Sequence, residues 1–244
     1  MAILDRNSGV FSSATPITVT RSSGNFGTGT VLVVGLITNA VWNTPGGWTQ
    51  RTVNVNNMGL YSFDKAGAGE SSLVFTPTTA ASGQWYSWEL SAGSTYLQSN
   101  AAETGNLTAV TTATMTGTGE RHLLAMVGGA GDSPRSVVGF NNSFINLAGG
   151  QSVGGDTPFS ARSDRDVSDV VSTGYNTTGS LNAASARTAS MILSYINASG
   201  DSSPPTVPGM PEATLIAPTA VDLSWVGSTD DVAVTGYEIQ VVGP

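Results

Sequence analysis

The sequence predicts an all-β protein, a jelly-roll-like antiparallel β-sandwich followed by part of a second, smaller sandwich. Three observations carry this. Apolar and β-branched residues alternate with period two in many short runs, and Gly, Asn, Ser and Pro punctuate those runs. No window sustains the i, i+3, i+4, i+7 pattern of an amphipathic helix. Short strands at near-regular spacing are the signature of a sandwich or jelly roll.

Taken in order, the runs are "TPITVTR" (15–21), "GTVLVVGLIT" (29–38), "MGLYSFD" (58–64), "SSLVFTP" (71–77), "NLTAVTTATM" (106–115) and "RHLLAMVGG" (121–129). "VLVVGLI" is apolar at nearly every position, which predicts a central strand covered on both faces. "GNFGTGT" (24–30) lacks the Lys-Ser/Thr of a phosphate-binding loop and precedes a strand, so it reads as a turn. In "QWYSWEL" a strand sends Tyr86, Trp88 and Leu90 to one continuous apolar face, the expected core, and Trp85, Ser87 and Glu89 to a mixed one. The stretch 130–168, rich in Gly, Asn, Ser and Asp, reads as short strands joined by long loops, where binding commonly lives.

At "SGDSSPPTVPG" three prolines fix extended geometry, which places a semi-rigid spacer over 200–209. It separates a domain over 1–199 from one over 210–244, where Val221, Leu223 and Trp225 alternate and a further strand begins at Tyr237.

Composition narrows the function. The chain has no cysteine, so neither a disulfide frame nor a thiolate metal site exists. Only 11% of the residues are charged, and Ser, Thr, Asn, Gln and Gly must therefore build the polar surface. A net charge of −8 would repel phosphate backbones and anionic lipid heads, which argues against nucleic acid and membranes as partners. "MAILDRNSGVF" carries Asp5 and Arg6 where a signal peptide would be apolar, and "VLVVGLI" is too short to cross a bilayer.

Candidate sites are few. Trp85, on the mixed face, and Trp42, in a loop, are the candidate ligand-facing aromatics, with core packing the competing reading. Trp48, after Gly46 and Gly47, is expected to plug one end of the sandwich. Asp164, Asp166 and Asp169 in "SARSDRDVSDVV" have a spacing that serves calcium, but the loop lacks the Gly and terminal Glu of an EF-hand. A solvated edge strand with Arg–Asp pairs is the preferred reading of that stretch. His122 is the only histidine, so a triad or multi-histidine metal site has nothing to build on, and a structural role is expected for it. No catalytic motif or cofactor fingerprint is present, which predicts a non-enzyme without cofactors. Ile3, Leu4, Val10 and Phe11 are expected to form an exposed N-terminal arm that packs against a neighbouring copy, giving a homo-oligomer, a trimer.

Two resemblances add to this. "PPTVPG", "VDLSW", "STDDVAVTGY" and Tyr237 make 204–244 similar to the first half of a fibronectin type III domain. A whole domain of that class takes about 100 residues, which implies a polypeptide that continues. The order "VLVVGLI", "TPGGWT", "GLYSFDKAGAGESSLVFT", an aromatic strand, "ERHLLAMVGG" and "ARTASMILSYI" resembles a β-sandwich domain of tail-associated proteins of actinobacterial phages and of some secreted actinobacterial proteins. The resemblance implies a structural and adhesive protein of the virion tail that docks on other tail proteins or on itself and projects fibronectin-type modules. The alternative is a module that binds cell-wall glycan. A glycoside hydrolase, the third reading, needs two acids facing one cleft.

Overall fold

The computed structural model describes the chain except for residues 1, 15, 55–58, 106, 131–134, 151–157, 186, 198–205, 218–219, 230–233, 235 and 240–244; at 13–14, 52–54, 102–104, 118, 146–147, 150, 168–173 and 197 it describes the backbone alone. The described elements are all strands. The first seven are β1 (Ile3–Ala14), β2 (Ile17–Val19), β3 (Thr28–Thr38), β4 (Thr49–Asn54), β5 (Gly59–Ala68), β6 (Leu73–Phe75) and β7 (Ala81–Leu90). The next eight are β8 (Ser94–Thr104), β9 (Leu107–Thr111), β10 (Met115–Ala130), β11 (Val137–Phe140), β12 (Ile145–Gly150), β13 (Pro158–Tyr175), β14 (Thr178–Ser185) and β15 (Arg187–Asn197). They form one compact unit, Met1–Ser199. A second unit, Gly200–Pro244, holds β16 (Glu212–Ala217) and β17 (Ala220–Ser224).

All strand pairs in the first unit are antiparallel, and the chain makes two five-stranded sheets, in the orders β1-β7-β3-β5-β4 and β12-β13-β10-β15-β8. The first sheet is drawn wholly from the first half of the domain and the second wholly from the second half. Read from β8, the second sheet runs first strand, last strand, third strand, then the two that complete it, as the first sheet does from β1. The smaller sheets repeat as well: β2 pairs with β6 as β9 pairs with β14, with β11 added on the other side of β14. Each half is thus a small jelly-roll-like sandwich, a five-stranded sheet with a narrow cover, and the two halves share one topology.

The four sheets pack as layers. Val33, Ile37, Leu60, Tyr86, Trp88 and Leu90 meet Leu124, Met126, Met191, Leu193 and Tyr195 between the two large sheets. On the outer face of the first, Leu32, Val34, Leu36, Phe63 and Trp85 pack under Ile17, Val19, Leu73 and Phe75 of the β2–β6 ribbon. On the outer face of the second, Val127, Phe159 and Ala161 pack under Val110, Val137 and Leu181 of β9, β11 and β14. Both central sheets are therefore dry on both sides. This is why "VLVVGLI" does not alternate, and why "QWYSWEL" is buried throughout rather than on the Tyr86–Trp88–Leu90 face alone.

The contact between the large sheets is keyed at its centre. Register sets Gly35 beside Ser62 and Tyr86, and Met126 beside Arg162 and Met191. The alignment of the two halves that superposes Asp64 on Asp164 makes Gly35 equivalent to Met126 and Ile37 equivalent to Gly128. A Cβ on Gly35 would overlap Met126 Sδ, and one on Gly128 would lie 2.7 Å from Ile37 Cδ1. Each large side chain fills the space over the glycine that stands at its own position in the other half. Two identical halves could not do this, since glycine would face glycine and methionine would face methionine.

Sequence expectations change here at four places. Ile3, Leu4, Val10 and Phe11 are not on a free arm. They lie on β1, which pairs along its length with β7. Ile3 packs into the inter-sheet core and Phe11 against Trp42 at 5.8 Å between ring centres, while Leu4 and Val10 stay exposed at 46% and 70%. "SARSDRDVSDVV" is an edge only in part: β12 covers β13 over Ser160–Asp164, where Asp164 is buried, whereas from Arg165 on β13 pairs with β10 alone and Asp166 keeps 63% exposure. In the second unit, the described part of the expected spacer is hydrogen-bonded: Thr206 N–H donates to Thr229 O and Gly209 N–H to Val226 O, both within 2.9 Å. There β16 and β17 form a hairpin, and the edge of Trp225 meets Tyr237 at 5.4 Å. The strand expected at Tyr237 is not formed over 237–239, and the rest of it lies outside the described residues.

The keyed contact predicts coupling. Gly35→Leu alone lowers stability by about 1–3 kcal/mol or more through overpacking, and Met126→Ala alone costs about 2–5 kcal/mol. Together they cost less than their sum, measured by denaturant unfolding of the four variants of the cycle.

Candidate functional site

A sheet buried on both faces admits polar side chains only where they find partners. Asp64 and Asp164 occupy matching places on the inner faces of β5 and β13, opposite Val33 and Leu124. Each is held by an arginine and tied to the other half. Asp164 accepts from Arg6 Nε and Nη2 at 2.7 and 2.8 Å, so a residue of β1 reaches across the layers. Arg162, also buried, approaches the same carboxylate at 3.5 Å. Asp64 accepts from Arg51 Nε at 2.9 and 2.8 Å and from the Tyr195 hydroxyl at 2.9 Å. Between these ends, Gln84 Oε1 accepts from the Tyr86 hydroxyl at 2.7 Å and from Ser160 N–H at 2.9 Å, a third polar tie across the sheets.

The surroundings set the protonation of these groups. Burial, then the Asp64 charge, raises the Tyr195 phenol well above its ordinary value, so it stays a neutral donor. The hydrogen bond to Asp164 raises Arg6, against the opposing effect of burial. Burial pulls Arg162 below its ordinary value. His122 is buried and its Nδ1 bonds Asp166 Oδ1, and that bond holds the Asp166 carboxyl below its usual range.

Glu89 is a third interior acid among the described residues and has a different task. It accepts from Arg21 Nε at 2.6 Å, from Gly27 N–H at 2.6 Å and from the Thr30 hydroxyl at 3.0 Å. It pins the "GNFGTGT" turn onto the outer face of the first sheet.

Trp42 and Trp85 are interior, at 3% and 7% exposure. The Trp85 indole lies across the bare backbone of Gly9, where a Cβ would come within 2.6 Å of it. Trp42 sits in the outer core of the first sheet, its Nε1 donating to the Thr38 hydroxyl at 3.3 Å. Neither offers a ring face on which a sugar could lie. Trp48 is half-buried, 4.9 Å from Phe75 between ring centres. Asp164 and Asp166 are engaged by Arg6 and His122, and the Asp169 side chain lies outside the described residues. Among the described residues no group of three His, Asp or Glu could hold a metal ion.

In the first unit, two stretches of surface lie at the seams where the edges of the large sheets adjoin. On one, β1 meets β12, and Leu4, Val10 and Ile145 stay exposed, Ile145 at 61%. On the other, which is the matching place in the repeat, β4 meets β8, and a polar cleft of about 420 Å³ opens. Arg51, Asp64, Lys65, Ser94, Thr95 and Tyr96 line it. Sequence reasoning missed this cleft, because its residues are scattered over two turns and four strands.

No protein-family model matches the chain, and neither a curated protein nor a solved structure matches it.

Arg6→Met would leave Asp164 short of its main partner and is expected to cost about 3 kcal/mol, whereas Val10→Ser on the same strand stays within about 0.5 kcal/mol. Chemical denaturation separates the two. The lowered Asp166 value means that its pairing contributes stability at neutral pH and loses it as pH falls through that value, below the ordinary carboxylate range. Asp166→Asn is expected to flatten the decline of melting temperature between pH 5 and pH 3.

Proposed function

We propose that the chain is a structural and adhesive component of a phage virion tail, one that docks through its double sandwich and carries fibronectin-type modules outward. The order of sequence features in the first unit and the fibronectin-like stretch in the second support the reading. The observation that carries it is the β1–β12 seam: Leu4, Val10 and Ile145 stay exposed on two adjoining edge strands, although the fold buries both faces of each large sheet. Edge strands present unpaired backbone groups to a neighbour, and exposed apolar side chains beside them add the burial that association requires.

The interior supports the same reading. The buried acids among the described residues, Asp64, Glu89 and Asp164, are each bound by an arginine, and the bulky rings fill cores. Such groups specify packing. The partners are then copies of this chain, in a trimer, and other proteins of the tail.

Light scattering of the full chain at increasing concentration is expected to show a homo-oligomer that Val10→Lys together with Ile145→Lys dissociates, with the melting temperature of the subunit preserved. A monomer at every concentration, or an oligomer indifferent to both changes, overturns the docking surface.

A further inference from the structure

We propose that the polar cleft at the β4–β8 seam is a saccharide-binding site that takes an uncharged sugar residue, with Arg51 as its principal donor. The inference rests on the adhesive part of the reading above and gives it a ligand class.

The cleft is a built feature. Its size, about 420 Å³, falls within the range of ligand pockets, roughly 300–1,000 Å³. Tight turns frame it: Trp48 N–H closes one onto Pro45 O and Ser94 N–H another onto Ser91 O, both at 3.2 Å. Gly47 and Gly93 take φ of 79° and 84° in those turns, a region that side chains disfavour. Both turns flank strands of the large sheets, so the rim is carried by rigid scaffold.

Arg51 is fixed before any ligand arrives. Its Nε makes both bonds to Asp64, and its guanidinium carbon lies 4.1 Å from the centre of the Tyr96 ring. The Tyr96 hydroxyl bonds Ser99 at 2.7 Å, and Ser99 donates to Arg51 O at 3.0 Å. The two terminal amino groups of Arg51 meet no acceptor among the described residues, and the side chain keeps 28% exposure. A planar fork of free N–H donors matches neighbouring oxygens of one ligand. Thr95 is exposed beside it at the cleft mouth and carries a hydroxyl of its own.

Charge selects the ligand class. Arg51 and Lys65 are matched by Asp64 and Glu70, each cation already paired with an acid. With two charges of each sign at the site and −8 on the chain, an anion gains nothing by entering. A ligand made of hydroxyls, each both donor and acceptor, fits the fork of Arg51, the Thr95 hydroxyl and the turn backbones.

The test is calorimetric titration of the full chain with two neutral trisaccharides, maltotriose and the N-acetylglucosamine trimer, and with sodium glucuronate and sulfate as anionic probes. Saturable binding of at least one neutral trisaccharide is expected, with neither anion competing. Thr95→Trp, which fills the mouth while leaving the ion pairs intact, should weaken binding by about tenfold or more at an unchanged melting temperature. Arg51→Lys, which keeps the charge and loses the fork, should weaken it as well. Absence of saturable binding to both trisaccharides, preference for an anion, or affinity indifferent to Thr95→Trp each overturns the site. Light scattering on the same sample reads assembly separately, so failure of the docking surface and failure of the cleft are distinguishable.

Discussion

The structure depends on the mutual burial of two large sheets whose other faces are covered too. A sheet in that position loses water on both sides, and every strand residue then answers to packing whichever way it points. Large side chains must interdigitate, and the centre of the contact shows how: Met126 over Gly35, Ile37 over Gly128. Polar side chains must be paired, and the pairs fall where the halves meet. Asp64 with Tyr195 and Asp164 with Arg6 join strands of opposite halves at matching positions, while Gln84 with Ser160 joins them between. The buried polar groups add little net stability, because desolvation consumes most of their attraction. Their effect is on register, since a slip by one residue would strand each of them in an apolar layer.

The repeat gives the molecule two equivalent seams and two different uses for them. At the β1–β12 seam an arginine from the edge strand closes over the aspartate, and apolar side chains stay outside. At the β4–β8 seam the arginine also comes from an edge strand, but from the same half as its aspartate, and the turns beside it stand apart. A topology used twice permits this divergence, since each half can give up a surface that the other retains. Function on a fold lives in such local differences, not in the fold itself.

Much of the fold was legible in the sequence. The β-branched runs and their punctuation mark the strands, the unbroken "VLVVGLI" marks a sheet covered twice, and Tyr86, Trp88 and Leu90 read as core because they share a parity. The same parity argument misjudged Trp85 and Glu89. A mixed face suggests solvent unless a cover is known, and the cover here is two strands of three residues each, too short to announce themselves. The aspartates of β13 read as a solvated edge because charge normally marks one; that holds for Asp166 but not for Asp164, whose partner Arg6 is distant in sequence. The repeat did leave a trace, Gly27-Thr28-Gly29 at the start of β3 and Gly117-Thr118-Gly119 in the first part of β10, each leading into the central apolar stretch of its strand. Of the candidate site, nothing local in the sequence brings Arg51, Lys65 and Ser94 together; only the pairing of β4 with β5 and the approach of β8 do.

The most direct test of this account is reconstitution of the first unit from separate chains spanning 1–92 and 93–199. Each half lacks the other's cover for its inner face, and the keyed centre favours unlike partners. The account predicts that neither fragment alone gives the strand content and near-ultraviolet signal of the intact unit, and that mixing them yields a one-to-one complex that does. A fragment that folds as a stable monomer alone, or a mixture that gives two homodimers in preference to the mixed pair, would contradict it.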